Sequence, residues 1–120
     1  MTDVELAEVA REAAGNAYAP YSDYQVGAAA LLRDGRIITG VNVENASYPL
    51  GMCAERCALA RAVAEGVRPG EVEAVAVTAS PCGGCRQWLY EFGVDRVAFV
   101  HEGELLVRRP DELLPDSFEL

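Results

Sequence analysis

The chain has 120 residues, a length that suits one domain around one core, and its 51 % hydrophobic and 24 % charged residues exclude wholesale disorder and fibrous repeats. Ten basic against 19 acidic residues leave a net charge of −9 at pH 7, a field that repels phosphate backbones and anionic lipid, so neither nucleic acid nor a membrane is an expected partner. Every basic residue is Arg, which excludes Schiff-base chemistry and a phosphate-binding lysine, and the one histidine, His101, leaves no room for His-based triads or multi-histidine metal sites.

Thr2 followed by Glu5 is a capping-box pattern, and the apolar spacing after it predicts a first helix to about Asn16. The polar residues around Pro20 interrupt it. Gln25 to Leu32 then reads as a strand, Asp34-Gly35 as a tight turn and Arg36 to Val43 as the partner strand. The Ala- and Leu-rich stretch from Cys53 to Glu65 predicts a buried helix stopped by Gly66. Val72 to Ala79, nearly continuous and β-branched, suits a strand with helices on both faces. Pro81-Cys82-Gly83-Gly84-Cys85 opens a short helix through about Phe92, followed by a strand over Arg96 to Val100. Glu104 to Arg109 offers one more strand before a terminal helical turn over Pro110 to Leu114, and His101 is expected as a strand-end surface residue. This order fits a single α/β domain over residues 1–120: three α/β/α layers around a mixed sheet of about five strands, with the amino-terminal hairpin at one end.

Four cysteines are too sparse for a disulfide scaffold, and Met1 to Glu12 alternates acids with small apolar residues instead of forming a signal-peptide core. A reduced, cytoplasmic protein is expected, in which clustered thiols mean metal or catalysis more often than bridges. Cys82-x2-Cys85 closes a loop whose two thiolates can reach one tetrahedral ion, at a helix start that should ease ionisation of both. Cys53 occupies the equivalent start of the preceding helix. If both helices begin side by side at one sheet edge, three thiolates meet and a fourth position stays open for water, the mark of a catalytic zinc. Glu55, two residues after Cys53, could accept a proton there without ligating the ion, although a lone Glu would be only an acid favoured in a first turn. Three thiolates on Zn²⁺ sum formally to 2 − 3 = −1, and Arg56, otherwise a solvated helix residue, can offset that charge. Cys57 has two readings: fourth ligand of a closed structural zinc site, or a small buried apolar residue on the inner face of its helix.

Cys53-Ala54-Glu55 with Pro81-Cys82-Gly83-Gly84-Cys85 resembles the zinc-dependent cytidine deaminase family in its three-cysteine form. The resemblance extends to Tyr21-Ser22-x-Tyr24-x-Val26-Gly27-Ala28-Ala29, to Asn42-Val43-Glu44-Asn45-Ala46-Ser47 and to Leu113-Leu114-Pro115 with Phe118, nearly the whole chain. It implies the cytidine deaminase-like fold and a short, homotetrameric nucleoside deaminase of pyrimidine salvage, converting cytidine and deoxycytidine to uridine and deoxyuridine with release of ammonia. It further implies one Zn²⁺ per subunit on Cys53, Cys82 and Cys85, with Glu55 carrying the water's proton to N3 and then to the departing amine.

Around that centre the resemblance implies Arg56 bonded to the ligand sulfurs, with Gln87 a further candidate beside it and Arg86 a weaker one. Asn42 and Glu44, two apart near a strand end and so facing the same way, are implied to hold the ribose, chiefly its 3′ hydroxyl. Tyr24 would wall the base pocket, backbone groups of Ala54 would hold the cytosine edge, Phe118 would stack on the ring, and Tyr48 would reach across a subunit interface. A carboxylate gripping a 3′ hydroxyl also argues against a polynucleotide substrate. Two other readings stand beside this one: the same chemistry on another aminated base or an aminonucleoside antibiotic, or a non-catalytic four-cysteine zinc module.

Overall fold

The computed structural model describes residues 1–119. Helix α1 (Asp3–Ala13) leads through a 3-10 turn at Ala14–Asn16 into the hairpin strands β1 (Gly27–Leu32) and β2 (Ile37–Val41). A second 3-10 turn, Tyr48–Leu50, precedes helix α2 (Ala54–Ala64), strand β3 (Val72–Val77) and helix α3 (Gly83–Phe92); strands β4 (Arg96–His101) and β5 (Glu104–Arg108) and the short helix α4 (Pro110–Leu113) follow. Every expected element is present within about two residues of its expected ends, except that α1 stops at Ala13 and the chain reaches Asn16 as a 3-10 turn. Thr2 caps α1 with the reciprocal Glu5 bonds of a capping box, at 3.1 and 2.8 Å. The chain turns sharply after α2 and α3 at Gly66 and Gly93, whose φ values of 96° and 72° a side chain would resist.

The five strands form one mixed sheet in the order β2-β1-β3-β4-β5. β3 and β4 are parallel, joined through α3; every other neighbouring pair is antiparallel. Strand alternation assigns the two cores. Ala28, Ala30, Leu32, Val75, Val77, Val97 and Phe99 face α2 and α3, where they pack on Leu59, Leu89 and Phe92. Ala29, Leu31, Ala74, Ala76 and Ala98 face α1 and meet Leu6 and Ala10. The interior strand β1 is therefore buried on both faces and reads as an unbroken apolar run.

Two glycines let the helices come close. A Cβ on Gly27 would lie 2.0 Å from the Ala10 carbonyl oxygen of α1, and one on Gly40 would lie 2.3 Å from the Ala58 nitrogen of α2. Gly40 therefore sets how deeply α2 sits on the hairpin. The register Gly27↔Val41 and Ala28↔Val77 brings the start of β1 beside the ends of β2 and β3, so the chain leaves both strands at one edge of the sheet to begin α2 and α3. Among the described residues no helix is long and apolar enough to cross a membrane.

Candidate active site

Cys53 and Cys82 are the residues immediately before α2 and α3, each in an extended conformation, with φ/ψ of −75°/155° and −69°/169°. An extended cap residue throws its side chain off the end of the helix, toward the orphan N–H groups, instead of onto a helical face. The two sulfurs end 3.8 Å apart, and Cys85, buried in the first turn of α3, completes a cluster whose three sulfurs lie within 4.8 Å of one another. Sulfurs bound to a tetrahedral zinc at about 2.3 Å stand about 3.8 Å apart, so this donor set fits that ion. The Cys82 sulfur also accepts the Cys85 N–H at 3.4 Å.

The thiols differ. Burial pushes Cys82 up, but the Cys85 N–H and the Cys85 and Cys53 thiols outweigh it and leave Cys82 below its ordinary range. Cys85 moves strongly the other way: burial raises it first, then the Glu55 carboxylate and the neighbouring sulfurs. The expected easing of ionisation is thus met in direction at Cys82 and not at Cys85, where enclosure and neighbouring negative charge prevail. Ligation requires the thiolate, so a cation must supply what Cys85 lacks.

Glu55 lies in the first turn of α2 with only 3 % of its surface exposed, the one buried charged or polar residue among those described. Burial raises its carboxyl above the ordinary value, against smaller lowering contributions from its own backbone N–H, the Cys85 thiol and the Arg56 charge. Arg56 points its Nη2 at the Gly51 carbonyl, 3.2 Å, and at the Cys53 sulfur, 3.7 Å, while its buried Nε has no partner. A cation aimed at a thiol, with one donor unspent, is what a thiolate cluster calls for.

Cys57 lies outside the cluster. It is partly buried, facing Val9, Thr39, Val41 and Arg61 in a cleft between α1, α2 and β2. One turn separates it from Cys53, but Cys53 is an extended cap and does not share its helical face. The four-thiolate reading fails on this point, and the expected buried Cys57 is partly buried.

Asn42 and Glu44 follow β2, and both grip the segment before β1. Asn42 accepts the Val26 N–H at 2.8 Å and donates to the Tyr24 carbonyl at 2.8 Å; Oε1 of Glu44 accepts the N–H groups of Tyr21 and Ser22 at 2.9 and 3.1 Å. Ser22, through its side chain, and then the Tyr21 N–H hold the Glu44 carboxyl below its usual range. Glu44 and Tyr48 border a cavity of about 470 Å³ with Tyr21, Ser22 and Ala46. A second one, about 330 Å³, continues from Asn42, Glu44 and Tyr48 to Cys53 and Arg56. Ala54 is buried at the start of α2, and the Tyr24 ring is exposed. Gln87 and Phe118 line a different cavity on the outer side of α3, with Tyr90 and Glu91.

The model of the cytidine and deoxycytidylate deaminase zinc-binding region matches residues 1–101. The chain belongs to this deaminase family. A cytidine deaminase of Halalkalibacterium halodurans is 44 % identical over 94 % of this chain and 91 % of its own length, and one of Mycobacterium tuberculosis is 45 % identical over 92 % and 85 %. The crystal structure of cytidine deaminase from Burkholderia pseudomallei superposes with a TM-score of 0.90 at 46 % identity, covering 98 % of this chain and 100 % of that one. That of the Mycobacterium tuberculosis enzyme gives 0.85 at 41 % identity, over 100 % and 99 %. The expected α/β deaminase fold is therefore the observed one.

Within this deaminase scaffold, reading the sequence alone missed two things. Asn42 and Glu44 spend hydrogen bonds on the backbone of residues 21–26, which no spacing rule signals. Arg86, a weak surface candidate by sequence, is partly buried and bonded on several sides.

Proposed function

We propose that this chain hydrolyses the exocyclic C–N bond of cytidine and deoxycytidine, releasing ammonia and leaving uridine and deoxyuridine, as a step of pyrimidine salvage. The observation that carries the reading is Glu55: a carboxyl sealed from solvent directly beside three clustered thiols. Cys53, Cys82 and Cys85 would hold one zinc ion per chain, which when bound supplies Lewis-acid activation of water.

The chain's own groups account for the rest. Burial keeps the neutral form of Glu55 within reach, so the same carboxyl can accept a proton from water, hand it to N3 and later deliver one to the leaving amine. Arg56 offsets the negative charge of the sulfurs without ligating. Ala54 offers its backbone to the cytosine edge from the first turn of α2. Oε1 of Glu44 takes both loop N–H groups, and its carboxylate can also receive a ribose hydroxyl, with Asn42 beside it.

Tyr48 is 90 % exposed and Phe118 70 %, large aromatic surfaces that one chain leaves open to solvent. We place both, with Tyr24, at pockets completed by neighbouring chains of a homotetramer, each chain a single domain. Gln87 would then support the pocket from α3 instead of touching a sulfur. Four free thiols suit a reducing, cytoplasmic setting.

The test is cytidine loss followed by ultraviolet absorbance, with ammonia and zinc measured in the same samples. The reading expects stoichiometric ammonia and one zinc per chain. Turnover of 3′-deoxycytidine as fast as cytidine would remove the role given to Glu44, and no turnover of any cytosine nucleoside would overturn the reading.

A further inference from the structure

We propose that Arg86 is a positioning residue that fastens the turn bearing Cys82 to the carboxyl-terminal segment, so that metal binding and the order of that segment are coupled. The proposal rests on the zinc reading above. Arg86 follows Cys85 in the first turn of α3, and its guanidinium is spent on both sides. Nε donates to the Pro81 carbonyl at 2.9 Å and Nη2 to the Ser80 hydroxyl at 3.5 Å, while Nη1 donates to the Leu113 carbonyl at 3.1 Å. All three acceptors are neutral oxygens, in a chain with 19 carboxylates to choose from. The planar fork is being used for its geometry.

The Pro81 carbonyl belongs to the peptide plane that ends at Cys82. Holding that oxygen fixes the plane and so the direction in which the Cys82 sulfur leaves the backbone. Leu113 is the last residue of α4, a four-residue helix too short to persist without outside contacts. One turn along α3, on the same face, the Tyr90 hydroxyl donates to Glu119 at 2.9 Å. The bonds from Arg86 and Tyr90 bracket Phe118, which lines one cavity with Gln87 and Tyr90. One rigid guanidinium therefore joins a metal-ligand turn to the root of the segment that carries an exposed aromatic ring. A coupling carried by this link is reciprocal: zinc that orders the segment is in turn held more tightly by the ordered segment.

The experiment is hydrogen exchange of residues 111–119 in the full chain, with and without zinc, together with the rate of zinc loss to a chelator in the wild type, Arg86→Gln and Arg86→Lys. Zinc is expected to slow exchange of this segment in the wild type. In Arg86→Gln that slowing should vanish, and zinc should be lost roughly 10-fold faster or more, the usual cost of removing a group that orients a ligand. Arg86→Lys should behave like Arg86→Gln, because one ammonium cannot serve three separated acceptors. Slow zinc loss in Arg86→Lys would reduce the residue to a charge and overturn the proposal. So would a wild-type chain that binds zinc with no change in exchange over 111–119, an arm that stands even if a variant does not fold. A chain that takes up no zinc would instead overturn the reading beneath it.

Discussion

The sulfur of Cys53 lies 3.8 Å from that of Cys82, across 29 residues of sequence and between the starts of two different helices. The approach follows from the sheet. β2 and β3 both end at the edge where β1 begins, so α2 and α3 start side by side, and a residue just outside each helix can reach across the gap. Cys57 has no such freedom, because it stands on the helix proper.

Replacing Cys57 with Ala should therefore leave one zinc per chain and full turnover, whereas Cys82→Ala should lose the metal. Elemental analysis of the purified variants checks both. Loss of zinc from Cys57→Ala would restore the four-thiolate reading.

Glu55→Gln should keep zinc and fold while turnover falls by about 10²–10⁴-fold, the usual contribution of a positioned general acid-base group. The metal-free protein offers a second readout. Glu55 has its folded value raised above 4.5, so the stability it contributes is present in full below about pH 4.5 and is lost as pH rises through the folded value. Glu55→Gln removes that loss, and the difference in Tm between variant and wild type should grow in the variant's favour with rising pH. A difference flat from pH 4 to 8 would contradict the burial argument.

Gly40→Ala and Gly27→Ala form a matched pair. Each puts a methyl group into helix backbone, and overpacking of this kind costs about 1–3 kcal/mol. Gly40 lies under the helix that carries Glu55 and follows Cys53, so its variant should lose zinc affinity and activity beyond its loss of stability. Gly27 lies under α1, which carries no ligand, so its variant should lose stability alone. Thermal melts beside zinc titrations separate the two.

Glu44→Gln keeps an amide oxygen for the Tyr21 and Ser22 N–H groups, so the loop should hold its shape. The lost carboxylate should then appear as a raised KM for cytidine with kcat little changed, as expected for a group that binds substrate and transition state alike. A fall in kcat at constant KM would move Glu44 from binding into the chemical step.

Much of this was legible from residue order. The continuous apolar runs of β1 and β3, the Asp34-Gly35 turn and the glycines after α2 and α3 each carry a local rule, and the observed elements follow them. The thiol trio was legible because cysteines at helix starts have few other uses. What stayed hidden depends on distance in space. Asn42 shortens the expected strand from Gln25 by taking the Val26 N–H for itself. Arg86 looks like one surface arginine among ten until the Leu113 carbonyl is placed beside it.

The most direct test of the central claim is zinc K-edge X-ray absorption on the purified chain. Three sulfurs at about 2.3 Å and one oxygen or nitrogen at about 2.0 Å are the expected shell. A shell of four sulfurs would leave no place for water and contradict the account.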